Sequence, residues 1–119
     1  MEPQERRKYR RLSTEVKVDI SYTDPKTDVT SLLTEPVSRN LSAGGLLIRY
    51  NKELAVGSEV VVKFVIPSEK RYVMTFARVV RVDAVEQGRL YDIGIAFLDI
   101  RPEDRELIDR YVTSRLDEA

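Results

Sequence analysis

The sequence predicts an all-β fold, a six-stranded antiparallel barrel followed by one C-terminal α-helix. Two observations predict it: apolar and polar residues alternate in short runs bounded by turn residues, and helical spacing begins only after residue 100. Because no helical segment separates the runs, antiparallel pairing is favoured over a parallel sheet, whose strands need long crossover connections. Closure into a barrel would also leave no exposed sheet edge.

Six segments have the composition and alternation of strands. They are residues 16–22, 32–37, 45–50, 60–66, 71–82 and 91–97. The first alternates large apolar residues with Lys17, Asp19 and Ser21, which predicts a strand with one buried face. The second contains Pro36, which cannot donate a ladder hydrogen bond and therefore indicates an edge or a bulge. In the last, Gly94 stands where a bulky side chain would not fit.

The C-terminal segment has the pattern of an amphipathic helix. Pro102 suits the first turn, and the acidic residues after it suit the positive end of a helix. Apolar residues then recur at helical spacing, at Leu107, Ile108, Tyr111, Val112 and Leu116. We expect this stripe to pack on the barrel, with a second copy of the helix as the alternative. The chain is therefore predicted to be one domain with a flexible basic arm at 1–12, the barrel at 13–100 and the helix at 101–119.

Composition narrows the possible functions. The 119 residues suffice for one hydrophobic core. The chain has no cysteine and no histidine, so thiolate ligands and the usual neutral-pH base are absent. No pairing of nucleophile and base can be proposed, and we expect neither an enzyme nor a metal site. No run approaches the ~20 apolar residues of a membrane span, and the first residues are not a signal peptide. These features predict a cytoplasmic protein without membrane insertion.

The first stretch with candidate binding residues is strongly basic. Five cations fall within six residues, at Arg6, Arg7, Lys8, Arg10 and Arg11. Because the formal net charge of the chain is zero, a local cluster favours a small anionic ligand over a long polyanion. Guanidinium groups bind phosphate oxygens in a bidentate manner, stack on flat bases and read the O6/N7 edge of guanine. A solvated basic tail is the alternative interpretation.

The second stretch spans residues 38–48, where polar residues and two glycines lead into large aliphatics. We interpret it as strand, tight loop and strand. Asn40 and Ser42 place short hydrogen-bonding groups beside backbone that Gly44 and Gly45 leave bare and free to adopt positive φ. The pattern predicts a small polar binding loop. The alternative is a hairpin turn with local side-chain-to-backbone hydrogen bonds.

Taken together, the two stretches resemble the signature of the PilZ domain family. Arg7 and Arg11 match its R-x-x-x-R motif, and Asn40, Ser42 and Gly45 match its (D/N)-x-S-x-x-G motif. The order of strands and final helix is also similar to the family fold. The resemblance implies a bacterial receptor for the second messenger cyclic di-GMP, which is a bound ligand and not a cofactor.

The resemblance also implies roles for the basic residues. Arg7 and Arg11 would hold phosphate oxygens and stack on or hydrogen-bond a guanine. Arg6, directly before the motif, would add a contact that favours a stacked pair of ligand molecules. Arg81 lies near the position where relatives place a large side chain against the ligand.

In the second motif, Asn40 and Ser42 would bond the edge of a guanine, and Gly45 would shape the loop. Asn40 occupies a position where the family more often has aspartate. Its amide offers one neutral acceptor oxygen and presents a donor that the guanine N–H groups do not need. The resemblance therefore implies binding that is weakened but not abolished.

The implied mechanism is a switch in which the basic arm orders around the ligand and changes the surface that an unidentified effector protein contacts. We expect a monomer or a homodimer. One alternative is a PilZ-like adaptor that does not bind the nucleotide and acts through protein–protein contacts. A nucleic-acid-binding barrel is the other. Tyr9 is the sole aromatic residue of the arm, so a row of stacking platforms is missing and we expect no nucleic acid partner.

Overall fold

The computed structural model describes residues 10–13, 16–67 and 69–117. Within these residues, eight strands form one antiparallel sheet that precedes a single helix. The strands are β1 (Leu12–Ser13), β2 (Val18–Thr23), β3 (Thr30–Leu32), β4 (Val37–Ser42), β5 (Gly45–Tyr50), β6 (Glu59–Ile66), β7 (Arg71–Glu86) and β8 (Leu90–Phe97), and helix α1 spans Pro102–Asp117. Their order in the sheet is β1-β4-β5-β8-β7-β6-β2-β3. The predicted all-β class with a C-terminal helix is confirmed.

The prediction of a closed six-stranded barrel is wrong in its strand number and in its closure. In the described part of the chain, two short strands, β1 and β3, lie at the ends of the sheet. β1 pairs with the edge of β4, and β3 pairs with the edge of β2. In a closed barrel these two edges would instead pair with each other. A single antiparallel bridge between Lys17 and Val37 joins these two sides. The sheet therefore curves back on itself without a continuous closing ladder.

Two local predictions around residue 40 are also wrong. Residues 33–36 are not a strand, because Glu35 has a positive φ of 48° and Pro36 cannot donate to a ladder. Residues 38–42, interpreted as part of a loop, instead belong to β4. The connection to β5 is a tight turn at Ala43 and Gly44 alone. The second motif therefore lies on a β-hairpin, with Asn40 and Ser42 on its first strand.

The core lies between the inner face of the sheet and helix α1. Alternate residues of β2, β5, β6, β7 and β8 point inward and are buried, as the period-two pattern predicts. Helix α1 contacts β1, β4 and β6 and adds its apolar stripe to the same core. The expectation that the helix packs on the sheet is confirmed. The buried residues of this stripe are Leu107, Ile108, Tyr111 and Val112.

Part of the outer face is apolar and uncovered in the described part of the chain. Tyr72, Met74 and Phe76 alternate along β7, and each residue is 63–64% exposed. Their cross-strand neighbours on β6 are Val65, Lys63 and Val61, and Lys63 Nζ lies 4.9 Å from the centre of the Tyr72 ring. Such a patch on a sheet face is typical of a contact surface for another molecule.

Candidate functional site

A cleft of about 470 Å³ lies on the outer face of the sheet, across β4, β5, β8 and β7. This volume is within the usual range for sites that bind small molecules. The cleft brings together four sequence-predicted residues and Arg81; Arg6 and Arg7 lie outside the described residues. The lining residues are Arg11, Asn40, Leu41, Ser42, Gly44, Gly45, Leu46, Leu47, Val80, Arg81, Gly94, Ile95 and Ala96.

The register of the sheet explains why distant parts of the sequence meet here. Asn40 of β4 pairs with Leu47 of β5, Leu47 with Gly94 of β8, and Gly94 with Arg81 of β7. Cross-strand neighbours lie about 5 Å apart. Asn40 and Arg81 therefore stand on opposite sides of a trough whose floor is Leu47 and Gly94. We call these sides the β4 wall and the β7 wall.

A β-bulge at Arg39 orients the β4 wall. Ser38 is buried opposite Ile48, whereas Asn40 pairs with Leu47 on the outer face. Residues two apart in a regular strand face the same side, so Asn40 would face the core, like Ser38, if this segment paired regularly without a bulge. The bulge is therefore what exposes the asparagine of the second motif.

A second β-bulge, at Val80, does the same for the β7 wall. Val79 is buried opposite Ile95, but Arg81 pairs with Gly94 on the outer face, and its side chain is 59% exposed. Val80 is the extra residue and is itself 53% exposed in the cleft. Bulges are common beside functional sites because they redirect side chains in this way. Two bulges, one on each wall, thus direct Asn40 and Arg81 into the same cleft.

Asn40 Oδ1 and Ser42 Oγ on the β4 wall already have partners within the protein. Ser13 Oγ–H donates to Asn40 Oδ1 at 3.1 Å. The backbone N–H of Gly44 donates to Ser42 Oγ at 3.1 Å, and Ser42 Oγ–H donates to the Gly45 carbonyl at 3.4 Å. The alternative interpretation, a hairpin turn with local side-chain bonds, therefore also describes this segment correctly. These bonds hold Asn40 and Ser42 in fixed positions at the mouth of the cleft.

Gly45 is required because the backbone of a neighbouring strand comes close to it. Its φ is not in the left-handed region, so the freedom of glycine to adopt positive φ is not used at this position. A Cβ on Gly45 would collide with the Ile95 carbonyl oxygen on the adjacent strand. Gly94 is less constrained, because a Cβ there would meet Arg81 Cβ at 3.5 Å, an ordinary contact. Gly45 therefore permits close pairing of β5 with β8, while Gly94 keeps the cleft floor low.

The lining residues carry two cations, Arg11 and Arg81, and no acidic side chain. Asp92 does not line the cleft and is paired with Arg49. Arg49 donates from Nε to Asp92 Oδ1 at 2.8 Å and from a terminal nitrogen to Oδ2 at 3.1 Å. These bonds lower the pKa of Asp92 and raise the pKa of Arg49, although partial desolvation opposes both shifts. The Asp92 charge is thus largely neutralised by Arg49, and the cleft remains suited to an anion.

The lining chemistry suits binding rather than catalysis. Two guanidinium groups can hold phosphate oxygens, amide and hydroxyl groups can bond a polar ring edge, and Gly94 in the floor lets a flat group approach the backbone. Among the described residues, no cluster of His, Cys, Asp or Glu is arranged to hold a metal ion. No helix in the described ranges is both long and apolar enough to cross a lipid bilayer. The lining of the cleft is therefore suited to an anionic, hydrogen-bonding ligand.

The chain belongs to the PilZ domain family. The family's model, described as "PilZ domain", matches residues 5–114, which is nearly the whole chain. PilZ domains are receptor domains that take cyclic di-GMP as a ligand, and they are not enzymes. The family resemblance drawn from the two motifs is confirmed. No curated protein sequence matches the chain.

Solved structures of PilZ proteins share the fold. The inhibitor of motility MotI/DgrA from Bacillus subtilis matches with a TM-score of 0.75 and 22% identity, covering 99% of this chain and 57% of that one. The PilZ domain of YcgR from Escherichia coli, solved with c-di-GMP, matches with a TM-score of 0.64 and 17% identity, covering 95% and 93%. The PilZ domain of CeSA from a cellulose-synthesizing bacterium gives 0.55 and 17%, covering 90% and 98%. The chain thus spans little more than half of the Bacillus protein.

Sequence reasoning missed part of the site. Val80 and Ala96 line the cleft but belong to neither motif. Alternation along residues 71–82 could not reveal Val80, because the bulge there breaks the period of two that the argument assumes. Gly94 did carry a signal, since a glycine inside a strand indicates a close approach to the backbone.

Proposed function

We propose that this PilZ domain is a bacterial, cytoplasmic receptor for cyclic di-GMP. The observation that carries the proposal is the convergence of Arg11, Asn40, Ser42 and Gly45 on one cleft of suitable size. Arg11 precedes β1, and the other three lie on the β4–β5 hairpin, so the two halves of the family signature meet only through the fold.

The ligand's chemistry fits the cleft. Cyclic di-GMP has two phosphodiester groups and two guanine bases. Arg11 forms charge-assisted bonds to a phosphate oxygen, and Asn40 Oδ1 accepts from a guanine N–H group. Ser42 bonds the same base edge while its hydroxyl stays part of the hairpin turn. The low floor at Gly94 leaves room for a planar base.

The basic arm supplies the remaining contacts in this proposal. Arg7 binds a phosphate and a guanine, and Arg6 contacts a second, stacked ligand molecule, as the family resemblance implies. The part of the arm that precedes β1 orders around the nucleotide and thereby alters the surface that an effector protein contacts. The domain transmits the signal through that partner.

Calorimetric titration with cyclic di-GMP tests the proposal, with GTP as the specificity check. Arg11→Ala should weaken binding about tenfold or more, because a charge-assisted bond is lost. Arg10→Ala is the matched control: it removes the same charge one residue away, but Arg10 does not line the cleft. Its effect should stay below about threefold, as expected of an exposed charge acting at a distance. Arg7→Ala should resemble Arg11→Ala.

Absence of heat and of any thermal shift at high ligand excess would defeat the receptor proposal. Equal losses in Arg10→Ala and Arg11→Ala would remove the specific role of Arg11 and leave only a general attraction for anions. Saturable binding of GTP with similar affinity would show that the cleft does not select the cyclic dinucleotide.

Two observations favour a second candidate, a PilZ adaptor that does not bind the nucleotide. Asn40 Oδ1 already accepts a hydrogen bond from Ser13. The outer face of β7 also exposes Tyr72, Met74 and Phe76, side-chain types that are enriched in protein interfaces. The same titration separates the candidates, because the adaptor predicts no binding by the parent protein or by any variant.

A further inference from the structure

The β7 wall carries a cation that is held by an acidic neighbour. Arg81 Nε and Asp83 Oδ2 form an ion pair at 2.9 Å, and each side chain is 59% exposed. Both residues face outward, since Arg81 pairs with Gly94 and Asp83 with Asp92 across the sheet. Arg81 lines the cleft, whereas Asp83 does not.

The surroundings of Asp83 explain why this pair forms without a ligand. Asp92 lies directly opposite on β8, and like charges in that position repel. Arg49 makes its bidentate contact with Asp92, so Arg81 is the cation that offsets the Asp83 charge. Because both partners are solvent-exposed, the pair is weak and can exchange for a better acceptor. A phosphate group in the cleft is such an acceptor, since it offers several oxygens to a guanidinium fork.

We propose that Asp83 competes with the nucleotide for Arg81, so that this acidic residue outside the cleft sets the affinity of the receptor. Without ligand, Arg81 is turned along β7 toward Asp83. On binding, its guanidinium swings across the floor at Gly94 to a phosphate or guanine on the side opposite Arg11. Arg81 then contacts the ligand directly, and Asp83 acts as a positioning residue through it. The inference rests on the proposed function and adds a determinant of affinity to it.

A simpler explanation must be separated from this competition. The Asp83 charge could repel the ligand's phosphates through space, whether or not Arg81 is present. Competition requires Arg81, whereas simple repulsion does not. A double-mutant cycle of Arg81→Ala and Asp83→Asn therefore distinguishes them.

Titration of cyclic di-GMP into the full chain and its variants tests the inference. Arg81→Ala should weaken binding about tenfold or more, because a charge-assisted contact is lost. Asp83→Asn should tighten binding about two- to fivefold, which is what removal of an exposed ion pair can release. In the Arg81→Ala background, Asp83→Asn should change the Kd by less than about twofold, within the error expected for additive sites.

Matched controls lie on the hairpin that joins β7 and β8. Arg89 and Glu86 form a looser ion pair at 3.8 Å near its turn, and neither residue lines the cleft. Arg89→Ala and Glu86→Gln make the same charge changes and should leave the Kd within about twofold of the parent value. Thermal unfolding followed by circular dichroism verifies that each variant is folded.

Three outcomes overturn the inference. If Arg81→Ala binds like the parent, Arg81 does not contact the ligand. If Asp83→Asn tightens binding equally with and without Arg81, the effect is repulsion and not competition. If the parent shows no saturable binding, the proposed function fails and the inference fails with it, a result that is distinct from the first two because it already occurs in the unmodified protein.

Discussion

The two walls of the cleft are built differently. On the β4 wall, Asn40 and Ser42 are fixed by hydrogen bonds to Ser13 and to the hairpin turn. On the β7 wall, Arg81 is a long, exposed side chain held by a single ion pair to Asp83. A family motif describes the first wall and not the second. In the proposed receptor, the fixed groups supply the shape and the base-edge contacts, while the adaptable charge on the other wall adjusts the affinity.

Substitution of the two glycines, Gly45 and Gly94, should have the largest effects. Gly45→Ala forces a Cβ against the Ile95 carbonyl and should lower the free energy of unfolding by about 3 kcal/mol, the upper range for overpacking. Gly94→Ala is the matched control, because its Cβ meets only an ordinary contact with Arg81. It should leave stability within about 0.5 kcal/mol and weaken ligand binding by raising the cleft floor. Chemical denaturation measures both, and equal destabilisation would contradict this distinction between the two glycines.

Asn40→Asp should strengthen ligand binding at the β4 wall. A carboxylate offers two charged acceptors, so Ser13 and a guanine can each be bonded. The gain of a charge-assisted bond is about 1 kcal/mol, or roughly fivefold in Kd. Asn51→Asp, which adds the same charge at an exposed position outside this cleft, is the control and should not tighten binding. A weaker Kd for Asn40→Asp would mean that phosphate repulsion exceeds the gain at the base edge.

The ion pair between Arg49 and Asp92 should make the stability of the protein depend on pH. Arg49 lowers the pKa of Asp92 in the folded protein, so the stabilisation is present above the unfolded-state pKa of about 3.9 and is lost as pH falls through the lower folded value. The unfolding free energy of the parent should therefore decrease as the pH is lowered from about 5 to about 2. Asp92→Asn should be less stable near neutral pH and should show a shallower decrease. Parallel curves for the two proteins would exclude this contribution.

Met74→Lys should have the smallest effect. Met74 lies on the same strand as Arg81 but outside the cleft, and its side chain is 64% exposed. The change should alter stability by less than about 1 kcal/mol and leave nucleotide binding unchanged. A clear loss of binding would show that the ligand site extends along β7 beyond the cleft. A large loss of stability would show that the apolar face is needed for folding.

The period at which apolar residues recur explains how much of the fold could be predicted from the sequence. Strands such as 60–66 and the terminal helix were readable because burial of one face requires a period of two or of 3.6 residues. Residues 33–36 were misassigned because the apolar residues in and around them are strand-like, while the positive φ of Glu35 is a property of the folded chain. The short strands β1 and β3 carry too few residues to show any period.

The sequence alone determined the all-β class, the terminal helix and the family, because these depend on local patterns and on two short motifs. The tertiary structure decided which side chains share the cleft. Asn40 and Arg81 face the same space only because the bulges at Arg39 and Val80 each shift the alternation by one residue. Such a shift is set by pairing with the neighbouring strand. For the same reason, only the structure reveals that Gly45 is required by the backbone of Ile95 and that Asp83 holds Arg81.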